Sequence, residues 1–184
     1  RGVDVQHIRR GSRDGFKAGA LAYGLTITDA EYAAVFDADF VPPTDFLRKM
    51  LISLEDQPKI ACVQARWGHL NPFDNLLTRM QTLALDGHFV VEQTARAASG
   101  LMMNFNGSGG LWRIAAIADA GGWRDTTLTE DLDLSYRAQL RGWRFAYRPD
   151  VVVPAELPAT LTTYRNQQAR WARGGTQCLR YLIV

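Results

Sequence analysis

The chain has 184 residues, of which 47% are hydrophobic and 22% are charged, with 16 glycines and 7 prolines. These values are typical of about one globular domain, and they exclude a disordered tail, a collagen-like repeat and a low-complexity linker. The net charge of +2 is small, but an acidic centre lies between two basic ends. This division suits either an unevenly charged surface in solvent or a site that binds a metal together with phosphates.

Hydrophobic periodicity and turn residues predict strands and helices that alternate through the first half of the chain. In chain order the predicted elements are a strand (3–9), a helix (14–25), a strand (32–36), a helix (45–54), a strand (60–66), a long helix (72–98), a loop (99–110), a short helix (114–120), a helix (130–141), two strands (143–147 and 151–153) and a final helix (160–182). Thr44 is expected to cap the second helix and Pro72 to open the long one. The alternation predicts an α/β fold with a mostly parallel sheet.

The cysteine content and the hydropathy pattern bear on the cellular environment. Two cysteines, Cys62 and Cys178, are too few for a disulfide framework, which favours a reducing compartment. No run of about 18 apolar residues is free of charge, so no membrane-spanning helix is predicted within the chain. By themselves these patterns favour one intracellular globular domain.

Asp37 and Asp39 directly follow a short apolar strand that ends near Phe36. On a regular strand two residues spaced in this way point to the same side, and ligands of open α/β sheets bind beyond the carboxyl ends of the strands. Paired carboxylates there suit Mg²⁺ or Mn²⁺ bound together with a diphosphate. A loop cap with surface charge explains them equally well, because the Asp-x-Asp pattern recurs at Asp131 and Asp133 and is weak alone.

The trio Thr129, Glu130 and Asp131 begins the helix predicted at 130–141. Thr129 is a good N-cap, and acidic residues in the first turn favour the helix dipole, which explains the trio without any function. A carboxylate presented after the glycine- and tryptophan-rich segment 121–125 can instead act as a general base on a hydroxyl group. Both interpretations stay open on this segment alone.

Gln167, Arg170 and Trp171 share one face of the last predicted helix, because they are three and four residues apart. An amide, a guanidinium and an indole suit a polar ligand, since arginine binds phosphate and tryptophan stacks on a sugar face. An amphipathic helix with a half-buried tryptophan explains the same pattern. The glycine-rich loop at 105–110 permits close approach of the backbone to a ligand, although alone it indicates only a turn.

Taken in order, five motifs resemble the processive family 2 glycosyltransferases, which include the cellulose synthases and the cellulose-synthase-like mannan and glucan synthases. Each motif is weak alone, but together they cover essentially the whole chain in the family's order and at plausible spacing. The Asp-x-Asp, Thr-Glu-Asp and Gln-x-x-Arg-Trp sequences are the specific part. The five motifs lie at 13–21, 37–39, 105–110, 129–131 and 167–171.

The resemblance implies a GT-A fold and an inverting transfer of a hexose from a nucleotide-diphosphate sugar to the end of a growing β-linked polysaccharide. UDP-glucose is the first expected donor and GDP-mannose the second, and a β-1,4 linkage is expected. The implied cofactor is Mg²⁺ or Mn²⁺, which the motif aspartates Asp37 and Asp39 would hold.

The resemblance also implies roles for individual residues. Asp131 matches the general base that deprotonates the acceptor hydroxyl. The donor and its diphosphate are expected to contact Asp14, Lys17, Asp37, Asp39, Gln167 and Arg170. The acceptor sugar is expected to contact Phe105, Asn106, Gly107, Glu130 and Trp171.

A larger protein is a further implication of the resemblance. Family members have an additional βα unit before the matching region, so residues 1–184 are expected to form a partial GT-A domain without that N-terminal unit. Residues 174–184 match the start of an amphipathic interface helix, and attachment to the cytoplasmic face of a membrane is expected through segments outside this chain. The alternative is a catalytically incomplete module that binds a nucleotide or a glycan. No nucleic acid partner is expected, because no recognised nucleic-acid-binding module occurs and the centre is acidic.

Overall fold

Four strands form one mixed sheet in the computed structural model, which describes residues 5–183. The strands are β1 (Tyr32–Val35), β2 (Ile60–His69), β3 (Gly110–Arg113) and β4 (Arg144–Ala155), in the order β1-β3-β2-β4. β2 and β4 are parallel, whereas β3 is antiparallel to both β1 and β2. β1, β2 and β4 therefore run in one direction, and their carboxyl ends lie at the same edge of the sheet.

The helices of the described residues flank this sheet. They are α1 (Phe16–Leu25), α2 (Phe46–Glu55), α3 (Leu76–Asp86), α4 (Thr94–Ala98), α5 (Ile114–Asp119), α6 (Glu130–Leu140) and α7 (Leu161–Ile183). A π-helical segment, Gly87–Gln93, joins α3 to α4, so the long predicted helix is one helical stretch with an irregular middle. The predicted α/β fold is confirmed, but the prediction of a mostly parallel sheet is wrong, because β3 inserts antiparallel between β1 and β2 and, of the described strands, only β2 and β4 pair in parallel.

Three of the strand predictions differ from the structure. Residues 5–9, the described part of the strand predicted at 3–9, form no strand and are exposed, while residues 3 and 4 lie outside the described residues. The strands predicted at 143–147 and 151–153 are one continuous strand, β4. β3 was not predicted, and it forms because β1 and β2 both pair with it from either side.

Two helices begin at other residues than the sequence predicts. α2 begins after Asp45 and not after Thr44, and the Asp45 side chain makes no capping hydrogen bond. α3 begins after Asn75 and not at Pro72. The Asn75 side chain accepts a hydrogen bond from Thr78 N at 3.0 Å, and the Thr78 hydroxyl accepts one from Asn75 N at 3.1 Å. This capping box satisfies two backbone groups that would otherwise lack partners.

The two faces of the sheet bury separate hydrophobic clusters. β2 contributes to both, because successive residues of a strand point to opposite faces. Cys62 joins the cluster that contains Trp112 and Ile117, whereas Val63 joins the cluster that contains Met50. Burial on both faces explains why β2 begins with a nearly continuous apolar run. The same packing holds β2 in place, and the carboxyl end of β2 borders the candidate site.

Candidate active site

A cavity of about 280 Å³ opens at the edge of the sheet where β1, β2 and β4 end. Its walls come from the segments that follow these strands, from the loop before β3, and from helices α1, α3, α6 and α7. Ligand sites of open α/β sheets lie at this edge. Ten of the twelve predicted site residues line the cavity: Lys17, Asp37, Asp39, Asn106, Gly107, Glu130, Asp131, Gln167, Arg170 and Trp171.

Two predicted site residues, Asp14 and Phe105, are not among the residues that line this cavity. The Asp14 carboxylate accepts a hydrogen bond from the Ser12 hydroxyl at 2.7 Å, in the exposed segment before α1. The Phe105 ring is 1% exposed and packs edge-on against Trp112, with ring centroids 5.6 Å apart. The structure therefore places both residues outside this cavity, although Phe105 borders a second cavity beside it. Their predicted ligand contacts stay predictions.

Asp37 and Asp39 reach the cavity from a turn and not from a regular strand. β1 ends at Val35, and Phe40 N donates a hydrogen bond to Asp37 O at 3.1 Å across the turn. The alternation predicted for a strand does not apply here, although both carboxylates line the cavity. The Asp37 N–H donates to the Ser108 hydroxyl at 2.9 Å, which ties this turn to the glycine-rich loop.

Lys17 connects α1 to two other parts of the site. Its ammonium lies 2.5 Å from Asp37 Oδ1 and donates a hydrogen bond to Gly107 O at 2.8 Å. Gly15 and Phe16, with φ angles of 66° and 44°, turn the chain into α1 immediately before Lys17. A carboxylate and a carbonyl thus hold a cation at the cavity, where the ammonium still has a proton to donate to a phosphate oxygen.

The glycine-rich loop is held by Gln64 of β2, whose side chain is fully buried. The Gln64 amide nitrogen donates to Ser108 O at 3.1 Å, and its oxygen accepts from Asn106 N at 3.0 Å. Gly107 has a φ of +83°, and a Cβ added there would lie 2.9 Å from Asp131 Oδ2. Glycine therefore meets two demands at position 107, the left-handed backbone and the close approach to Asp131.

Asp131 lies in the first turn of α6, and its carboxylate borders the cavity. Burial and the neighbouring Glu130 carboxylate raise the pKa of Asp131 to about 6, although the Leu132 N–H and the Lys17 ammonium act in the opposite direction. Thr129 occupies the N-cap position, but its side chain makes no capping hydrogen bond. Asp131 is consequently ionised at neutral pH and basic enough to accept a proton, which suits a general base.

Gln167, Arg170 and Trp171 lie on one face of α7 and line the cavity together, as their spacing predicts. Arg170 is exposed, so its guanidinium is accessible to an anionic ligand. Trp171 also borders a second cavity that adjoins the first. The helix therefore presents a cation toward one cavity and an aromatic ring toward both.

The second cavity has a volume of about 290 Å³ and is lined mainly by apolar groups. Trp67 and Phe89 form part of its wall, with ring centroids 5.1 Å apart. On another side, His88 Nε2 lies 3.0 Å from Asn106 Oδ1. Flat aromatic surfaces beside polar side chains suit sugar rings, whose faces are apolar and whose edges carry hydroxyl groups.

Trp67, His69 and Glu156 are among the residues that line the first cavity and that sequence reasoning missed. Trp67 Nε1 donates to Ser108 O at 3.0 Å, and His69 Nε2 lies 3.1 Å from Asp86 Oδ1. Trp67 and His69 end β2, while Glu156 follows β4. Ligands of open α/β sheets bind beyond the carboxyl ends of the strands. This rule pointed to the aspartates after β1, and applied to the ends of β2 and β4 it would have pointed to these three residues as well.

The chemistry of the donor set fits a divalent cation that is shared with a ligand. Within residues 5–183 no group of three His, Cys, Asp or Glu side chains is arranged to hold a metal by itself. Asp37 and Asp39 supply hard carboxylate oxygens at the cavity wall. Mg²⁺ and similar ions in phosphate-binding sites use one or two carboxylates and take further oxygens from phosphate and water.

A solved structure shares this fold. The mannosyltransferase PcManGT from Pyrobaculum calidifontis, in complex with GDP-Man and Mn²⁺, superposes with a TM-score of 0.66 at 20% sequence identity, over 95% of this chain and 44% of that one. The predicted GT-A fold is thereby confirmed. In the part of the chain that the structure describes, no helix is both long enough and apolar enough to cross a membrane.

Sequence comparison identifies the family. A family model described as glycosyl transferase family group 2 matches residues 32–184. Glucomannan 4-beta-mannosyltransferase 2 of Arabidopsis thaliana is 46% identical over 187 residues, which cover 100% of this chain and 35% of that protein. Glucomannan 4-beta-mannosyltransferase 1 of Cyamopsis tetragonoloba is 48% identical over 177 residues, 95% of this chain and 34% of that protein. The chain belongs to glycosyl transferase family group 2, and it spans about a third of the length of these relatives.

Proposed function

We propose that this chain carries the catalytic residues of an inverting hexosyltransferase that extends a β-linked polysaccharide from a nucleotide-diphosphate sugar. The names of the two glucomannan mannosyltransferases, at 46% and 48% identity, support GDP-mannose as the first donor and a β-1,4 linkage. The sequence alone favoured UDP-glucose, which is the second donor to test.

One observation carries this proposal: Asp131, a half-buried carboxylate with its pKa raised to about 6, borders the same cavity as the cations Lys17 and Arg170. Asp131 takes the proton of the acceptor hydroxyl, and the acceptor oxygen forms a bond to the anomeric carbon of the donor. The bond from that carbon to the diphosphate breaks at the same time. With a base and no enzyme nucleophile, one displacement inverts the anomeric centre.

The leaving nucleoside diphosphate gains negative charge during this step. Lys17 and Arg170 are placed to bind it, because both line the cavity and both carry a positive charge. Asp37 and Asp39 would hold Mg²⁺ or Mn²⁺, which supplies further positive charge to the diphosphate when it is bound. Gln167 offers an amide on the same wall.

The acceptor end of the polysaccharide belongs, in this proposal, on the side of the second cavity. Trp171 and Trp67 border both cavities and offer flat faces to a sugar ring. Asn106 and Glu130 provide polar groups for its hydroxyls. Gly107 leaves the space beside Asp131 open to the attacking hydroxyl.

The test is a donor screen with the protein expressed at full length, assayed separately in the membrane and soluble fractions of the cells. We expect mannosyl transfer from GDP-mannose to exceed glucosyl transfer from UDP-glucose. A chelator should abolish transfer until Mn²⁺ or Mg²⁺ is restored, and linkage analysis of the product tests the β-1,4 bond. Activity in the membrane fraction would support attachment to a membrane, which stays a prediction.

Binding of a donor without transfer in either fraction would contradict the proposal. It would favour the alternative, a catalytically incomplete module that binds a nucleotide or a glycan. Calorimetry with GDP, UDP and manno-oligosaccharides, with and without Mn²⁺, separates this case from a protein that binds none of them.

A further inference from the structure

The part of α7 that follows Trp171 packs against the segment that leads into Asp131. Gln177 Oε1 accepts a hydrogen bond from Leu128 N at 2.9 Å. The buried Cys178 thiol lies 3.4 Å from the Thr129 hydroxyl, and Gly174 lies directly against the Thr129 side chain. These contacts join α7 to Leu128 and Thr129, the two residues that immediately precede the first residue of α6, Glu130.

Thr129 is the residue from which α6 starts, two positions before Asp131. Because its side chain makes no capping hydrogen bond, capping within α6 does not fix its rotamer. Its hydroxyl instead lies 3.4 Å from Cys178 Sγ of α7. The same thiol also lies 3.6 Å from the Thr127 hydroxyl, so Cys178 contacts two residues of the segment before α6. The residue from which α6 starts thus contacts a helix that is distant in sequence.

The same helix carries Arg170 and Trp171 one turn earlier. A continuous α-helix is a rigid spacer over so short a distance, with a rise of about 1.5 Å per residue. We propose that Gly174, Gln177 and Cys178 form a positioning element that sets the place of Asp131 relative to the groups that bind the diphosphate. This inference rests on the proposed role of Asp131 as the base.

Two adjacent glycines make the proposal testable. A Cβ on Gly174 would collide with the Thr129 side chain, whose own Cβ would be 2.9 Å away. A Cβ on Gly175 would meet only Leu132 Cδ2, at 4.0 Å, an ordinary contact. Both glycines lie within α7, so alanine at either position raises helix propensity, and only Gly174→Ala should disturb Asp131.

The experiment compares Gly174→Ala with Gly175→Ala in the full-length protein. We expect Gly174→Ala to lower kcat by about 10- to 100-fold, because small misplacements of a catalytic group have effects of that size. The KM for the donor and the Kd for GDP should stay unchanged, since Gly174 is not among the residues that line the cavity. Gly175→Ala should keep the parental kcat.

A second pair of variants decides the matter if Gly174→Ala fails to fold. Gln177→Ala removes the acceptor for Leu128 N and should lower kcat at constant donor KM, whereas Gln177→Glu keeps an acceptor oxygen and should restore most of the rate. A structural role alone would not divide kcat from KM in this way. Equal kcat values in both members of each pair would overturn the inference.

The reference variant Asp131→Asn separates this inference from the proposed function. If Asp131→Asn is inactive while Gly174→Ala and Gln177→Ala keep the parental kcat, only the positioning element is wrong. If Asp131→Asn keeps full activity, the proposed function of Asp131 fails and the inference fails with it.

Discussion

The cavity has two charged sides, which meet at Gly107 and differ in how their charges are arranged. The phosphate side includes Lys17 and Asp37, which form an ion pair with 34% and 43% of their side-chain surfaces exposed. The base side includes Glu130 and Asp131, two adjacent carboxylates, of which the half-buried Asp131 has its pKa raised to about 6. Lys17 and Asp37 on the phosphate side attract each other, whereas the two carboxylates on the base side repel each other.

The difference follows from what each side is proposed to do. An exposed ion pair contributes roughly 0–1 kcal/mol, so Lys17 and Asp37 can exchange partners at small cost when a phosphate or a metal binds. Burial of Asp131 disfavours its charged form, and this raises its affinity for a proton. The phosphate side is therefore suited to ligand exchange and the base side to proton transfer, and each variant below tests that division.

The largest effect is expected from Asp131→Asn, which removes the base and leaves the phosphate side intact. Transfer should fall by about 10²- to 10⁴-fold, the usual contribution of general base catalysis, while calorimetry should give an unchanged Kd for GDP. Full transfer with weakened GDP binding would instead assign Asp131 to the phosphate side.

The same variant has a predicted effect on stability. A folded-state pKa of about 6, raised from the ordinary value of 3.8, means that Asp131 destabilises the fold increasingly as the pH rises above 3.8 and to its full extent above pH 6. Replacement by Asn should therefore raise the free energy of unfolding by up to about 3 kcal/mol at pH 7. The gain should shrink as the pH falls through 6 and vanish below 3.8, which thermal unfolding at several pH values can measure.

The next largest effect is expected from Gly107→Ala, where the two sides meet. The added methyl group would lie 2.9 Å from Asp131 Oδ2 on a backbone with a φ of +83°, so we expect kcat to fall on the order of 100-fold. Gly109→Ala is the matched control, because its φ of +69° causes similar strain while its Cβ would be 3.5 Å from Trp67 Nε1. Equal losses in the two variants would attribute the effect to backbone strain alone.

The pH dependence of transfer provides a smaller, graded test of the base side. Asp131 must be ionised to accept a proton, and its pKa is about 6. The kcat should therefore be constant above pH 7 and fall about tenfold for each unit below 6. The measurement is kcat at saturating donor as a function of pH. A fall in kcat centred near pH 4 would contradict the prediction, because it would require a carboxylate whose pKa is not raised.

The order of helices and strands was largely predictable from sequence, because each kind of element has a characteristic spacing of apolar residues. β3 was missed, since its four residues lack a pattern and are ordered by pairing with β1 and β2, which lie far away in the chain. The strand predicted at 3–9 failed over residues 5–9 for the opposite reason. Val5 is 81% exposed, so the apolar side chains of this segment are not buried against another element.

The site residues were predictable where they stand in motifs, but their contacts were not. The ion pair of Lys17 with Asp37 and the close approach of Gly107 to Asp131 join residues that are far apart in sequence, so no local pattern indicates them. Glu156 was missed because it stands at a strand end without a motif. Resemblance gave the residue types, whereas the distances that decide their chemistry depend on the tertiary fold.

The smallest effect is expected on the phosphate side from Lys17→Ala, with Asp14→Ala as its control. Lys17 lies on the cavity, so its loss should raise the donor KM and the Kd for GDP roughly tenfold, the value of one charge-assisted hydrogen bond. Asp14 bonds to Ser12 outside the cavity, and its replacement should leave both constants unchanged. If Lys17→Ala lowers kcat at a constant donor KM, Lys17 acts on the base side, where its charge lowers the pKa of Asp131. The two sides would then work as one electrostatic unit, and the division between them would be wrong.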